Sequence, residues 1–230
     1  MKSTEFDKFA EEYAAMLGSS IRASGEKPEY FADYKVRHIA RHLSKHGIAV
    51  NNILDFGCGV GGSTRYFLQH LPNAQLTSTD VSQKSLDIAY SRYPEAARYK
   101  LFDGLSLPFA SNTFDVVFTA CVFHHIPADE HVRLLSEIRR VLRADGVFFV
   151  FEHNPLNPLT VRVVNQCPFD ENAVLISAGE LTQRMIAAQF RFIQREYHIF
   201  FPNFLKVLRT LEVSLKWFPL GAQYCLTGRK

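Results

Sequence analysis

Between residues 51 and 152, short apolar runs alternate with segments in which apolar residues recur every three to four positions. The apolar runs are the candidate strands Asn51–Phe56, Gln75–Asp80, Ala97–Phe102, Phe114–Ala120 and Gly146–Glu152. The periodic segments are the candidate helices Gly61–Leu71, Ser82–Arg92 and Ala128–Arg143, and Asp145-Gly146 is the predicted stop of the last one. Strands that alternate with helices predict an α/β domain with a parallel sheet covered on both faces.

The flanking segments extend this domain in both directions. Two helices are predicted before residue 51, one over Glu5–Leu17 and one that begins at Pro28 and ends before Gly47. After Glu152 the prolines at 155 and 158 exclude regular helix or central strand over residues 154–158. The predicted elements that follow are a helix over Ala178–Gln189, a strand over Phe192–Phe201, a helix over Asn203–Trp217 and a strand over Gln223–Gly228. No repeat or linker interrupts the chain, so residues 1–230 are expected to form one domain.

A glycine-rich segment joins the first predicted strand to the next helix, and its sequence is Asp55-Phe56-Gly57-Cys58-Gly59-Val60-Gly61-Gly62. Glycines at such a turn let a ligand lie against bare backbone. The segment also fits a dinucleotide-binding pattern through Gly57, Gly59 and Gly62, which on its own is a weak signal. Asp55 argues against a dinucleotide and for a ligand that carries an amino group. A carboxylate at the mouth of the loop repels a pyrophosphate and attracts an amino group.

Asp80 ends the second predicted strand, where an acidic side chain can accept hydrogen bonds from ribose hydroxyls. Dinucleotide-binding folds use the same position. Asp80 therefore supports a ligand that contains adenosine, but it does not show whether that ligand is a dinucleotide or an adenosyl compound without phosphates. The structural alternative is that Asp80 or Ser82 caps the following helix.

Asp55, Gly57, Gly59 and Gly61 match the first motif of class I S-adenosylmethionine-dependent methyltransferases, D/E-x-G-x-G-x-G, and the chain resembles that family over nearly its full length. The resemblance implies a Rossmann-like, doubly wound sheet of seven strands. It is mostly parallel, has helices on both faces and carries an antiparallel last strand between its neighbours. The implied cofactor is S-adenosyl-L-methionine, and the product is S-adenosyl-L-homocysteine.

The same resemblance implies further cofactor-binding residues. Val81 is expected to contact the adenine face, and Asp103, with the neighbouring backbone of Gly104, to bind the adenine amino group. A simple turn is the alternative role for Asp103. Cys58 in the glycine loop is expected to be a small filler rather than a nucleophile, and Cys121 to line the space between cofactor and acceptor.

His124 and Glu152 are the candidate catalytic residues, because both follow predicted strands on the side of the sheet where ligands bind. Either could remove a proton from a hydroxyl acceptor. Local hydrogen bonding is an equally good explanation for His124, and solvation at a strand end for Glu152. His124 and His125 are adjacent, so we expect them to point in different directions. No metal site is predicted, because the sequence marks no further ligands beside this pair.

Charge, cysteine content and the length of the apolar runs indicate the partners and the compartment to expect. The chain of 230 residues has a net charge of +3, so charge alone does not indicate nucleic acid as a partner. Its four cysteines are widely spaced, which favours free thiols in a reducing compartment. No apolar run is long enough to cross a bilayer, and a cytoplasmic protein, monomeric or homodimeric, is expected.

The flanking regions are predicted to complete the active site. Residues 1–47 are expected to form lid helices that place Tyr13, Tyr30 or Tyr34 over the cofactor and turn Lys35 toward the acceptor. Residues 153–222 are expected to form the acceptor side. The aromatic segment over residues 200–218 could be a pocket wall, a dimer face or a membrane-surface helix.

The predicted reaction is methyl transfer to a small-molecule acceptor, apolar or aromatic, with O-methylation favoured over N- or C-methylation. Two alternatives stay open at this point. One is an NAD(P)-dependent oxidoreductase that uses the glycine pattern. The other is a non-catalytic protein of the same fold that binds adenosyl ligands.

Overall fold

The computed structural model describes residues 24–230, and seven strands within that range form one sheet. The strands are β1 (Asn52–Phe56), β2 (Gln75–Asp80), β3 (Arg98–Leu101), β4 (Phe114–Ala120), β5 (Leu142–His153), β6 (Arg191–His198) and β7 (Gln223–Arg229). Their order across the sheet is β3-β2-β1-β4-β5-β7-β6. Strands β1 to β5 pair in parallel, and β7 lies antiparallel between β5 and β6. The predicted α/β class and the inserted last strand are confirmed.

Helices cover both faces of this sheet. They are α1 (Pro28–Lys45), α2 (Thr64–His70), α3 (Gln83–Arg92), α4 (His131–Val141), α5 (Pro158–Asn165), α6 (Ala178–Ala187) and the single turn α7 (Glu212–Leu215). Side chains from α1 and α2 pack on one face of the central strands, and side chains from α4 and α6 pack on the other.

The central strands are apolar on both sides because each face is covered. In β5, Phe149 and Phe151 join the cluster under α1, while Phe148 and Val150 join the cluster under α4 and α6. Complete burial of a side chain of this size contributes about 1.5–3 kcal/mol. The continuous apolar run of β5 is therefore what a parallel sheet buried on both faces requires.

Near the glycine loop, the predicted strand is correct to within one residue, but the following helix begins at Thr64 rather than Gly61, because residues 61–63 still belong to the turn. Other predicted boundaries also need correction. Helix α4 ends at Val141 rather than Arg143, because Leu142 already pairs with Phe114 and the register of β4 and β5 then shifts before Val116. A helix was missed at α5, where the Asn157 side chain accepts hydrogen bonds from the first-turn amides and Pro158 occupies a first-turn position. The predicted helix over Glu5–Leu17 lies outside the described residues.

The predicted helix over Asn203–Trp217 is mostly not an α-helix. Residues Asn203–Leu211 form 3-10 turns with a non-helical break at Leu205, and only α7 is α-helical. No side chain of Asn203–Leu211 is buried, so this segment lacks the tertiary packing that stabilises most α-helices. Instead Glu212 accepts hydrogen bonds from the amides of Phe200 and Phe201. Within the described part of the chain, no helix has both the length and the apolar character needed to cross a bilayer.

Candidate functional site

A cavity of about 320 Å³ lies at the carboxyl ends of β1, β2 and β4, under the first turns of α1. Its floor is the glycine loop over residues 57–62. Its walls include the first half of α1, the first turn of α2, the end of β4 and residues near the amino and carboxyl ends of α3. Of the predicted site residues, Asp55, Gly57, Cys58, Gly59, Asp80 and Cys121 line this cavity.

The glycine loop needs glycine at Gly57 for two separate reasons. Its φ is +73°, and a Cβ placed there would lie 2.5 Å from Cγ2 of Val122. The amides of Gly57 and Cys58 both donate to the Thr79 carbonyl, which fixes the loop against β2. At Gly59 an added Cβ would meet no atom within 4 Å, so the bare backbone faces open space. A ligand can therefore approach the backbone closely at Gly59.

Asp55 is a buried carboxylate beside the cavity, and its Oδ2 accepts no hydrogen bond from any described residue. Burial, with a smaller contribution from the nearby charge of Asp80, raises the pKa of Asp55 from 3.8 to about 8. An ammonium group placed at Oδ2 would satisfy this oxygen and stabilise the ionised form. The residue therefore fits the amino group of an adenosyl amino acid, as the sequence predicts.

Asp80 connects the loop to β2. Its Oδ2 accepts from the Gly59 amide at 2.8 Å and its Oδ1 from the Ser82 amide at 3.0 Å. The cap of α3 is Ser82, whose hydroxyl accepts from the Ser85 amide at 3.0 Å. Asp80 is thus not the helix cap, and it lines the cavity where it is expected to meet ribose hydroxyls. Each carboxylate oxygen can accept more than one hydrogen bond, so this role is compatible with its present bonds.

The predicted adenine contacts lie apart from the cavity lining. Val81 is buried in the core cluster, and Asp103 is exposed at the end of β3. Oδ1 of Asp103 accepts from the amides of Leu105 and Ser106, both at 2.8 Å, and these bonds lower the pKa of Asp103. Gly104 follows with φ +82°. The structure thus gives Asp103 the turn role, and its adenine contact stays a prediction.

The end of β4 forms the cavity wall that faces α1. Cys121 has φ +58°, an uncommon value for a residue with a side chain, and its amide donates to the Phe151 carbonyl. The buried Lys35 of α1 donates to Sγ of Cys121 at 3.9 Å. Burial raises the pKa of the Cys121 thiol, which therefore stays protonated at neutral pH. This arrangement places one ammonium group beside the predicted acceptor space.

The two candidate catalytic residues bind each other behind this wall. Oε1 of Glu152 accepts from the amides of Val122 and Phe123, and Oε2 lies 2.6 Å from Nδ1 of His124. Burial alone would lower the pKa of His124, but Glu152 and Asp170 outweigh it and raise that pKa to about 10. The imidazole is therefore protonated at neutral pH and has no lone pair to act as a base. Neither His124 nor Glu152 lines the cavity.

Asp170 was missed by the sequence analysis. It lies in the 3-10 turn Pro168–Asp170, and its Oδ1 is 3.5 Å from Nε2 of His124 and 3.4 Å from Nε2 of His125. The two adjacent histidines therefore converge on one oxygen instead of pointing apart. No motif or periodicity marks Asp170 in the sequence, because it lies in a three-residue turn between predicted elements.

The tyrosines proposed for a lid differ in their placement. Tyr34 donates to or accepts from Nδ1 of His198 at 2.9 Å, and Tyr30 lies under the guanidinium of Arg209. Tyr13 is outside the described residues. The part of α1 that does line the cavity comprises Pro28, Glu29, Phe31, Ala32 and Lys35.

Comparisons with known proteins agree with this geometry. Residues 54–150 match the family model of a methyltransferase domain. The chain is 32% identical over 125 residues to a sterol 24-C-methyltransferase of Gibberella zeae, a match that covers 50% of this chain and 32% of that protein. It is 30% identical over 153 residues to a demethylmenaquinone methyltransferase of Symbiobacterium thermophilum, covering 64% of this chain and 57% of that one. The chain thus spans between a third and three fifths of these relatives' length.

Solved structures show the same fold. An S-adenosylmethionine-dependent methyltransferase of Thermotoga maritima, described as a possible histamine N-methyltransferase, superposes with a TM-score of 0.70 and 18% identity over 99% of both chains. A phosphoethanolamine N-methyltransferase of Haemonchus contortus, crystallised with S-adenosyl-L-methionine, gives a TM-score of 0.57 and 19% identity. That match covers 79% of this chain and 49% of the other.

The fold and the cavity define a Rossmann-like domain built to bind an adenosyl amino acid. Residues 54–150 match the methyltransferase-domain model, and the fold is that of S-adenosylmethionine-dependent methyltransferases. The cofactor of this chain is S-adenosyl-L-methionine. The methyltransferase fold and the cofactor predicted from the sequence are confirmed, and the nicotinamide-dependent oxidoreductase is no longer a competing explanation.

Proposed function

We propose that this protein transfers the methyl group of S-adenosyl-L-methionine to a hydroxyl oxygen of an apolar or aromatic small molecule. The observation that carries the proposal is the position of Asp55. Its buried, unpartnered carboxylate oxygen lies beside open backbone at Gly59 and beside Asp80 in one cavity. The Asp55 carboxylate suits a cationic amino group, the open backbone at Gly59 suits a closely approaching ligand, and the Asp80 carboxylate suits the two hydroxyls of a ribose.

The cofactor supplies a sulfonium methyl group, and the residues of this chain hold it in place. Asp55 binds the ammonium group, Asp80 binds the ribose hydroxyls, and the loop residues Gly57, Cys58 and Gly59 lie against the ligand. Val81, Asp103 and Gly104 remain the proposed adenine side, and Cys121 the side nearest to the acceptor. Methyl transfer gains most of its rate from the alignment of the two reacting atoms, so the rigid contacts of the loop to β2 serve catalysis directly.

The apolar side chains that line the cavity support an apolar acceptor. Phe31, Tyr66, Phe118 and Val122 contribute rings and methyl groups to the cavity. Two curated relatives are named as a sterol 24-C-methyltransferase and a demethylmenaquinone methyltransferase, and the first name indicates an apolar acceptor for that relative. A hydroxyl acceptor is favoured because the Lys35 ammonium lies on this wall, where it would stabilise an oxygen that loses its proton.

His124 and Glu152 have a supporting role in this proposal. Their ion pair holds the turn after β4, and the amides of Val122 and Phe123 are bound to the same carboxylate. Val122 in turn packs against Gly57 of the cofactor loop. The pair thus positions the wall that separates cofactor from acceptor, and no proton transfer is assigned to either residue.

Parallel calorimetric titrations with S-adenosylmethionine, S-adenosylhomocysteine and NADH test the cofactor side. We expect micromolar binding of the first two compounds and none of NADH; binding of NADH alone would refute the role given to Asp55. Transfer of labelled methyl from S-adenosylmethionine to phenols, sterols and quinols, compared with amines and sugars, tests the acceptor side. Tight cofactor binding without transfer to any compound would favour the non-catalytic adenosyl-binding protein.

A further inference from the structure

Three polar side chains outside the cofactor residues converge behind the cavity wall, and of these His125 also lines the cavity. His124 and His125 lie in the 3-10 turn Phe123–His125, and Asp170 lies in the turn Pro168–Asp170. Nε2 of both rings and one oxygen of Asp170 all lie within 4.8 Å of one another. The two turns are connected, because the Val174 amide donates to the His124 carbonyl at 2.8 Å.

The separations of these atoms resemble those around a tetrahedral metal ion. Zinc binds imidazole nitrogen and carboxylate oxygen at about 2.0–2.1 Å, so two such ligands at a tetrahedral angle are about 3.3–3.4 Å apart. Oδ1 of Asp170 is 3.5 Å from Nε2 of His124 and 3.4 Å from Nε2 of His125. These distances are long for hydrogen bonds and close to what two shared metal bonds produce.

Glu152 completes the arrangement from behind. Metal-binding histidines usually donate their other ring N–H to a carboxylate, which fixes the ring and its tautomer. Nδ1 of His124 lies 2.6 Å from Oε2 of Glu152, and Oε1 of that carboxylate is held by two backbone amides. Nε2 of His124 is therefore directed at Asp170 by a rigid support. That nitrogen is buried and faces Oδ1 of Asp170 at 3.5 Å.

The charges of the cluster also favour a cation. Glu152 and Asp170 bring two carboxylates to opposite nitrogens of the same ring. A divalent ion between them would balance both charges and would take the place of the proton on Nε2 of His124. Lys35 opposes such an ion only from the side of Cys121, which its ammonium contacts.

We propose that His124, His125 and Asp170 bind a divalent transition-metal ion, with Zn²⁺ as the best match to their spacing. Three protein ligands leave one tetrahedral position open, as in catalytic zinc sites. Because His125 lines the cavity, the open position adjoins the acceptor space. Participation of the ion in methyl transfer, by binding the acceptor oxygen, rests on the proposed function; metal binding itself does not.

A second group of side chains in the chain could also bind a metal ion. His38, His198 and Cys225 also place one donor atom each within 4.8 Å of the others, between α1 and the strands β6 and β7. The carboxylate nearest to both rings belongs to Glu196, which is 3.7 Å from each and bound to Lys216 at 2.8 Å. A cation there would have to displace that ammonium, so this group is the weaker candidate.

The test uses the full chain, dialysed against a chelator and titrated with Co²⁺ by visible absorption and with Zn²⁺ by calorimetry. Asp170→Asn and His125→Asn each remove one ligand, and Glu171→Gln changes the neighbouring exposed carboxylate as a matched control. Titration with S-adenosylhomocysteine shows in each variant whether the cofactor site is intact.

We expect one tightly bound equivalent, with the intense Co²⁺ absorption of tetrahedral coordination, in the native chain and in Glu171→Gln. Both ligand variants should bind metal at least about tenfold more weakly while they retain affinity for S-adenosylhomocysteine. No binding by the native chain would overturn the proposal. Undiminished binding by Asp170→Asn would also overturn it, and would assign the ion to the competing group. Failure to bind S-adenosylhomocysteine in the native chain would instead overturn the proposed function.

Discussion

Replacement of Asp55 by asparagine should stabilise the cofactor-free protein and weaken cofactor binding in the same variant. Asp55 has a pKa of about 8 in the folded chain, against 3.8 for an unperturbed carboxyl. Between these two values the folded state binds more protons than the unfolded state, so stability falls as pH rises through that window. Asparagine is neutral in both states and escapes this penalty.

The size of the effect follows from the two pKa values. At pH 7, keeping neutral a carboxyl that the unfolded chain ionises costs about 4 kcal/mol, at 1.36 kcal/mol per pKa unit. The buried amide of the asparagine lacks hydrogen-bond partners, which destabilises the folded variant by about 1–3 kcal/mol. A net gain of about 1–3 kcal/mol remains, which raises the Tm of a domain this size by several degrees. At pH 4 the ionisation penalty falls below about 1 kcal/mol, so the unsatisfied amide should leave the variant no more stable than the native chain.

Cofactor binding should change in the opposite direction. Loss of a charge-assisted hydrogen bond to an ammonium group costs about 1.5–3 kcal/mol, or roughly 10- to 100-fold in affinity. Thermal unfolding at pH 4 and pH 7 and calorimetry with S-adenosylhomocysteine measure the two effects. Asp145→Asn, at an exposed carboxylate, is the matched control and should alter neither. A lower Tm at pH 7 with unchanged affinity would show that Asp55 is a partnered structural carboxylate.

Three further substitutions examine the walls of the site. Gly57→Ala should destabilise the fold by about 2–4 kcal/mol in thermal unfolding, because its φ of +73° disfavours a side chain and its Cβ would overlap Val122. Glu152→Gln should cost about 3–5 kcal/mol in urea unfolding, since it leaves a buried imidazolium without its carboxylate. Asp80→Ala should weaken binding of S-adenosylhomocysteine by calorimetry, because it releases the Gly59 amide and removes the proposed ribose acceptor.

The first two of these substitutions have matched controls within the chain. Gly59 also has a positive φ, but an added Cβ there meets no atom within 4 Å. Gly59→Ala should therefore be destabilised by backbone strain alone, and by less than Gly57→Ala. Equal loss at both glycines would contradict the packing argument. Glu171→Gln should leave stability unchanged, and a similar result for Glu152→Gln would remove the buried ion pair from the account. Unchanged cofactor affinity in Asp80→Ala would refute its assigned role.

The sequence predicted the sheet and the cofactor loop well because both depend on local pattern. Runs such as Phe114–Ala120 are apolar over their whole length because both faces are covered, and the turn at Gly57 needs a residue type that the sequence states directly. The position of β7 between β5 and β6 came from the family resemblance, since alternation alone does not fix strand order.

The parts that were missed depend on contacts distant in sequence. Asp170 meets His124 although the two are 46 positions apart in the sequence, and no periodicity marks it. The segment Asn203–Leu211 has apolar residues at helical spacing, but none of its side chains is buried by the described residues 24–230, so the spacing did not produce an α-helix. His124 looked like a base from its place after β4. The carboxylate that sets its charge arrives from β5, and its proximity is visible only in three dimensions.

The antiparallel strand β7 sits in the interior of the sheet although it is the last strand in chain order, and this constrains synthesis. Strand β6 has no partner in the sheet except β7, and the outer edge of β5 is likewise completed by β7. Until residues 223–229 have left the ribosome, two unpaired strand edges stay open to other chains. A nascent chain that stalls before that point exposes unpaired strand edges that can pair with other chains. Binding of chaperones to the nascent chain should therefore decrease sharply once β7 has emerged.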